Sequence, residues 1–336
     1  MFEKLFTDRR IPHMLVILSL LIVLLSCIAL FTSHVDKGVS VANTQNSLSV
    51  LYILIRDVFG TSLYARLIKL ALFIIPSLIF INQIAKDIKL FNDMYSMTVW
   101  VAFTSLLFLC VNVDFGAIVP AFLFMTMASK ALISSNQYEN GAFNSGFYLG
   151  LASIIYLPAI VLFIAHLFGV LGLKAKKTIP SILLFLLGLI LPVLFVEGYL
   201  YIFDIDFKTN IIEMVLSYIS WDINCSISIA IYAGVIILIT LFSAVVFRTS
   251  INEKTVWDRM VNSYFLIYAI SLIVGGIIFP NLLIYFLILY IIPFSYFFTL
   301  LYIGLKKNIH RLLLVDGFVI YTLILVMVQK CWTNVV

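Results

Sequence analysis

Long apolar segments separated by short polar breaks follow one another along almost the whole chain. Because a bilayer core of about 30 Å takes about 20 apolar residues as a helix, these segments are membrane spans by length. Backbone polar groups in lipid must pair within their own segment, so each span is expected to be helical. Eleven spans are predicted, at residues 11–32, 67–84, 95–111, 116–132, 143–156, 158–173, 180–202, 224–247, 261–279, 282–304 and 312–329.

Composition agrees with this pattern. Apolar residues make up 63% of the 336-residue chain and charged residues 11%, against about 25% charged in an ordinary soluble domain. The sequence therefore predicts an all-α, polytopic transmembrane helical bundle, with residues 1–336 as one domain. The net charge of +5 comes from Lys and Arg in small groups at the span ends, a pattern that reports orientation and not nucleic-acid binding.

The first span argues against a cleavable signal peptide, and the cysteines argue against a zinc or redox motif. The span at 11–32 follows Lys4, Arg9 and Arg10 and exceeds the roughly 7 to 15 apolar residues of a cleavable signal core, so an uncleaved anchor is expected. The four cysteines have no spacing typical of a zinc or redox motif. They are Cys27, Cys110, Cys225 and Cys331.

The region 143–173 has two interpretations, either a short hairpin of two spans or a single long helix interrupted at Pro158. The positive-inside rule separates them. A single crossing leaves only Lys4, Arg9, Arg10, Lys86, Lys89, Lys130, Lys208 and Lys330 in the cytoplasm, or 8 of the 21 basic residues. The hairpin keeps the first six of these and adds Lys174, Lys176, Lys177, Arg248, Lys254, Arg259, Lys306, Lys307 and Arg311, or 15 of the 21.

A ten-helix alternative keeps 143–173 as one helix and makes 95–132 one crossing plus a re-entrant piece. It places 14 of the 21 basic residues inside, so charge leaves ten and eleven helices both open. Either way the N-terminus is expected in the cytoplasm and the C-terminus outside. Regions 33–66 and 203–223 are then outer loops.

The first outer loop carries an amphipathic pattern and a basic group. Apolar residues recur at helical spacing between Ser47 and Phe59, which predicts a helix on the membrane surface. Arg56, Arg66 and Lys69 suit a lipid phosphate, because Lys and Arg bind phosphate by charge and Arg also by bidentate hydrogen bonds. The alternative is that these side chains only reach toward lipid head groups.

Two acids are candidates for chemistry on the same face. Asp36 follows the first span and is placed to accept a proton from a substrate hydroxyl; the alternative is a solvated loop acid. Asp114 lies in an otherwise apolar stretch, where an acid is costly unless it faces water or a partner; the alternative is a helix cap. Glu197, Asp204 and Asp206 are interpreted as solvated. No cofactor is predicted, although His34 and Asp36 could together bind a divalent cation.

A stretch from Asp114 to Lys177 resembles the GT-C superfamily of multi-pass glycosyltransferases. The resemblance lies in the acid Asp114, the run AFLFMTMASKAL, the polar turn SSNQYENGAFN, the glycine pair Gly146 and Gly150 followed by Leu151 and Ala152, and the basic residues Lys174 to Lys177. It favours eleven helices. The whole length also resembles an uncharacterised bacterial multi-pass membrane family that shares the block FNSGFYLGLASIIYLPAIVLF, which implies a bacterial inner membrane.

The GT-C resemblance implies an enzyme that uses a polyprenyl-phosphate-linked sugar at the outer leaflet to build envelope glycans. In that scheme Asp36 is the general base, Arg56, Arg66 and Lys69 bind the lipid phosphate, and Asp114 positions the acceptor or a metal. Two other functions remain open, a non-catalytic membrane scaffold and a transporter or lipid flippase. Two expectations argue against the transporter, that no ionisable residue lies in the middle of any span and that the chain has no inverted repeat. The expected partners are membrane lipids.

Overall fold

A computed structural model of the chain describes residues 63–89, 98–99, 102–103, 118–134, 138–173, 178–202, 227–249, 255–305 and 308–333. The predicted all-α class is confirmed, since 96% of these residues are helical and this part of the chain contains no strand. Asp36, Arg56 and Asp114 lie outside the described residues, as do the proposed surface helix at 47–59 and the loop 203–223.

Nine α-helices form the described part of the bundle, each matching one predicted span. The spans at 11–32 and 95–111 fall wholly or mostly outside it, although residues 98–99 and 102–103 are helical. The helices are α1 (Leu63–Asp87), α2 (Ile118–Ile133), α3 (Tyr138–Ile155), α4 (Phe163–Leu173), α5 (Thr178–Ile202), α6 (Ile227–Thr249), α7 (Val256–Ile278), α8 (Leu283–Gly304) and α9 (Asn308–Thr333).

Several helices begin before the apolar span that predicted them, because polar residues can form their first turn. α7 begins five residues early. Thr255 caps it by accepting a hydrogen bond from the backbone N–H of Asp258 at 3.1 Å, and the Asp258 carboxylate accepts from the Thr255 backbone N–H in return. This reciprocal capping box satisfies N–H groups that have no partner within the helix. Local capping, not hydrophobicity, therefore sets where α7 starts.

The glycines of α3 and α5 show that these two helices run parallel. Gly146 lies against the backbone of Phe185 and Leu189, whereas Gly150, one turn later, lies against Leu189 and Pro192. A Cβ at Gly150 would be 2.6 Å from the Leu189 carbonyl oxygen, so only glycine permits this approach. Small residues that let two backbones come close are a common basis of helix association in membranes.

The chain must return between two parallel helices, and it does so from Tyr156 onward. Pro158 stands at the start of a 3-10 segment, Leu157–Leu162, which leads into α4. Only four residues separate the end of α4 from the start of α5, and the rings of Phe163 in α4 and Phe185 in α5 are 5.7 Å apart. Two helices joined so closely can lie side by side only if they are antiparallel. The hairpin interpretation of 143–173 is thus confirmed and the single crossing is wrong.

Contacts of α4 give the directions of α2 and α7. Gly169, near the end of α4, lies against Leu132 near the end of α2 and against Tyr264 in the first half of α7. Val161, just before α4, lies against Gly275 near the end of α7. Hence α2 runs parallel to α4, and α7 runs antiparallel to both.

The helices around α8 alternate in the same way. Residues early in α7 meet residues late in α8, and α9 reverses again, whereas α6 and α8 run parallel. The contacting pairs are Phe265 with Tyr296 and Gly275 with Phe286 for α7, Phe318 with Phe294 and Arg311 with Leu305 for α9, and Ser243 with Phe297 and Val246 with Gly304 for α6.

Burial divides the helices into a centre and a periphery. Four helices are long and apolar enough to cross a membrane, at Ile179–Tyr199, Ile227–Phe247, Val256–Ile278 and Leu283–Gly304. In the last of these spans 78% of the residues in the most apolar stretch are buried within the protein, whereas in the first only 22% are. The first exposes Leu183, Leu187, Leu194 and Phe195. Since large exposed apolar surfaces are unfavourable in water, the chain is a helical membrane protein with α8 at its centre.

The close approach of α3 and α5 makes a testable prediction. A Cβ at Gly188 would meet the backbone of Phe143 and Phe147, so Gly188→Ala should destabilise the protein by about 1–3 kcal/mol through overpacking. Gly198, on the same helix, has nothing within 4 Å of its Cβ position. Gly198→Ala should be neutral or stabilising by up to about 1 kcal/mol. Thermal unfolding in detergent, followed by size-exclusion fluorescence, measures both Tm values; equal Tm values would contradict the packing.

Candidate functional site

Two of the five predicted site residues lie in the described part of the chain. Arg66 and Lys69 occupy the first two turns of α1, which begins at Leu63 and so takes in the last four residues of the predicted loop 33–66. Asp114 precedes the start of α2, at Ile118, by four residues. Whether these residues share one face therefore depends on the relative direction of α1 and α2.

Contacts of Lys130 indicate that α1 and α2 run parallel. Lys130, in the last turn of α2, has its ammonium group 5.9 Å from the centroid of the Phe80 ring in the second half of α1. The same ammonium is attracted by the carboxylate of Asp87, the last residue of α1. The C-terminal ends of the two helices are therefore together, and so are the N-terminal ends. Arg66 and Lys69 belong to the same end of the bundle as the start of α2.

Glu197 belongs to that end as well. α5 runs opposite to α2, so its final turns lie where α2 begins. Glu197 is in the last two turns of α5 and is exposed, which agrees with the interpretation of a solvated acid. Asp204 and Asp206 lie outside the described residues.

Inside the bundle, a chain of hydrogen bonds joins three helices. The hydroxyl groups of Ser129 in α2 and Tyr264 in α7 are 2.9 Å apart, and the Tyr264 oxygen is 3.4 Å from Nε2 of His166 in α4. Nδ1 of His166 lies 3.0 Å from the carbonyl oxygen of Leu162, and the Ser129 hydroxyl donates to the Met125 carbonyl at 3.0 Å. Ser129 and His166 are 0% exposed and Tyr264 is 1% exposed.

His166 corrects one argument drawn from the sequence. An ionisable residue does lie within a predicted span, because position 166 is the middle of 158–173, so the case against a transporter on that ground is wrong. The signal was visible as a single His in an otherwise apolar run. Its partners were not, since Ser129 and Tyr264 are 37 residues before and 98 residues after it in the chain.

Aromatic residues surround this series of hydrogen bonds. The imidazole of His166 lies 5.8 Å from the rings of both Tyr264 and Tyr268, measured between centroids. Phe265 stacks on Tyr296 of α8 at 4.3 Å. These aromatic side chains pack the helices against one another. The site is buried and closely packed, which suits a structural role or the binding of a proton better than the binding of a large substrate.

The glycine block that carried the resemblance to glycosyltransferases also has a packing role. Gly146 and Gly150 lie against the backbone of α5. Tyr156, at the turn that follows, is 1% exposed and its ring is 5.6 Å from that of Tyr285. Close packing accounts for this block without any ligand.

The metal ligands considered in the sequence lie outside the described residues. Within the described ranges no group of three or more His, Cys, Asp or Glu side chains is placed to hold a metal ion. His34 and Asp36 lie outside those ranges, so a divalent cation there stays a prediction.

Comparison with known proteins gives no further guide: no protein-family model, curated protein or solved structure matches the chain.

Two buried serines provide a test of the hydrogen-bonded chain. Ser129 and Ser145 are each 0% exposed, but the Ser145 hydroxyl has no hydrogen-bond partner within the described structure. Ser129→Ala should cost about 1–3 kcal/mol, because Tyr264 loses a buried partner. Ser145→Ala should be neutral or stabilising, because it removes an unpaired buried hydroxyl. Thermal unfolding of the purified variants gives the comparison, and a Ser129→Ala variant as stable as Ser145→Ala would contradict the described geometry.

Proposed function

We propose that the chain is an eleven-helix, GT-C-like glycosyltransferase of a bacterial inner membrane, which uses a polyprenyl-phosphate-linked sugar at the outer leaflet. The N-terminus is cytoplasmic in this proposal and the C-terminus is outside. The observation that carries it is the parallel course of α1 and α2. It supports a common bundle end for the backbone positions of Arg66 and Lys69 and the start of α2, which Asp114 precedes by four residues in the sequence.

Parallel packing of α1 and α2 also supports the helix count. Two parallel helices need a return crossing between them, and the span at 95–111 is the only long apolar segment between 87 and 118. Tyr232 of α6 donates a hydrogen bond to the carbonyl of Ala102 at 2.8 Å, and Phe103 packs on Phe122 of α2 at 5.6 Å. A crossing at 95–111 within the bundle fits these contacts and supports eleven helices over ten.

In the proposed reaction, Arg66 and Lys69, with Arg56 from the surface helix, bind the phosphate of the lipid-linked sugar. Their charge stabilises the leaving group, and helix α1 fixes two of them on a rigid element. Asp36 accepts the proton of the acceptor hydroxyl as its oxygen attacks the anomeric carbon. The bond from that carbon to the phosphate oxygen breaks, and polyprenyl phosphate leaves. Asp114 positions the acceptor.

A second candidate is a transporter or lipid flippase, which the buried His166 favours. An ionisable residue inside a membrane helix, hydrogen-bonded to polar partners, is a common feature of proton-coupled transport. Substrate flux into vesicles without any covalent product would distinguish this candidate from the transferase.

The two acids give the first test. Asp36→Asn and Asp114→Asn should each lower the release of polyprenyl phosphate by about 10²-fold or more, the size expected for a lost general base or positioning acid. Proteoliposomes supplied with polyprenyl-phosphate sugars and envelope glycans are the assay, with mass spectrometry of the lipid product. Asp204→Asn is the matched control, because Asp204 is predicted on the same face without a catalytic role. Wild-type release by both acid variants would refute the enzyme.

Orientation has its own test. In a chain with its four cysteines replaced by serine, Asp36→Cys and Asp114→Cys should react with a membrane-impermeant maleimide added to intact cells. Lys254→Cys, which the positive-inside rule assigns to the cytoplasm, should react only after permeabilisation. If position 36 or 114 behaves like position 254, the proposed outer site does not exist.

A further inference from the structure

The hydrogen-bonded chain through His166 has two internally consistent proton arrangements. The carbonyl oxygen of Leu162 can only accept, so Nδ1 of His166, 3.0 Å away, must carry a hydrogen. In the neutral imidazole, Nε2 is then an acceptor, and Tyr264 donates to it. Ser129 in turn donates to Tyr264. The hydroxyl groups therefore point from α2 toward α4 when the histidine is neutral.

Adding one proton to Nε2 reverses this order. Nε2–H then donates to the Tyr264 oxygen, Tyr264 donates to the Ser129 oxygen, and Ser129 donates to the carbonyl of Met125, 3.0 Å away. Every donor in the chain keeps an acceptor, including the new one. The Ser129 oxygen is 2.9 Å from the Tyr264 oxygen and 3.0 Å from the Met125 carbonyl oxygen, so rotation of its hydroxyl hydrogen is enough to change from one arrangement to the other.

We propose that His166 is a proton-binding site inside the bundle, and that its occupancy sets the direction of the hydrogen bonds joining α2, α4 and α7. This inference is independent of the proposed transferase, because none of its residues belongs to the outer site. The ligand is a single proton. The Tyr264 oxygen accepts the new hydrogen bond from Nε2–H, and the Ser129 oxygen accepts from Tyr264 in turn, so both bonds stabilise the added positive charge.

The groups packed against the His166 imidazole determine how an added proton is stabilised. The groups facing the imidazole are Tyr264 and Tyr268 of α7. Charged side chains on neighbouring helices are engaged or exposed elsewhere: Lys130 contacts Phe80, Asp258 caps α7, and Arg259 and Glu197 are exposed. Glu139, the remaining charged residue on these helices, is in the first turn of α3. Among the described residues, the hydroxyl groups of Tyr264 and Ser129 are therefore the groups placed to stabilise an added proton on Nε2.

Histidine-selective ¹⁵N NMR of the full chain in lipid nanodiscs tests the proposal. His166→Gln identifies the His166 signals among those of the four histidines. At neutral pH they should show hydrogen on Nδ1 only, and on acidification both ring nitrogens should become protonated while the helical circular dichroism persists. Tyr264→Phe removes the donor to neutral Nε2 and also the acceptor of Nε2–H in the imidazolium. Because the hydrogen bond of the charged form is the stronger of the two, half-protonation should need a pH lower by about one unit, a tenfold loss of proton affinity.

Ser129→Ala should shift half-protonation in the same direction, since Tyr264 then has no hydroxyl acceptor, and it keeps the test available if Tyr264→Phe does not fold. Tyr268→Phe is the matched control. The Tyr268 ring also lies 5.8 Å from the imidazole, but Tyr268 is not part of the series of hydrogen bonds that runs from the Met125 carbonyl to the Leu162 carbonyl. Equal shifts in all three variants, or a His166 that stays neutral until the helices unfold, would overturn the proposal.

Discussion

Every backbone polar group in an apolar solvent must find its partner inside the protein, and the structure follows from this constraint. Within lipid the inexpensive solution is a helix that pairs its own N–H and C=O groups. Apolar side chains on such helices gain little by leaving lipid for the protein interior, so association depends on close packing and on polar contacts. The described bundle uses both, at separate places.

Close packing dominates between α3 and α5. Gly146, Gly150 and Gly188 remove side chains where the two backbones touch, which extends dispersion contact along both helices. The chain reversal at Tyr156 and Pro158 then returns α4 along the same pair. Helices α3, α4 and α5 therefore form a closely packed three-helix unit. His166 of this unit is hydrogen-bonded to Tyr264 of the neighbouring helix α7.

Polar contacts dominate around α6, α8 and α9. Ser243 of α6 donates to the backbone carbonyl of Phe297, and Tyr321 of α9 donates to the carbonyl of Ile231 at 3.2 Å. Arg311 donates to the Leu305 carbonyl at 2.7 Å, satisfying an acceptor just beyond α8, while its guanidinium lies 5.4 Å from the Tyr302 ring centroid. Such bonds fix which helix neighbours which, because an unmatched polar group in this interior is costly.

The sequence by itself determined the helices, their number in the described region and their approximate ends, because hydrophobicity over about 20 residues is a local property. Ends set by capping, such as Thr255 before α7, lay a few residues outside the apolar pattern. Charge counting also identified the reversal within 143–173. Only the tertiary structure decided that α1 and α2 are parallel, that α8 is central while α5 is peripheral, and that His166 meets Ser129 and Tyr264. These facts depend on contacts between residues far apart in the chain, up to 135 positions for Ser129 and Tyr264, and no local pattern of apolar residues encodes which helices will touch.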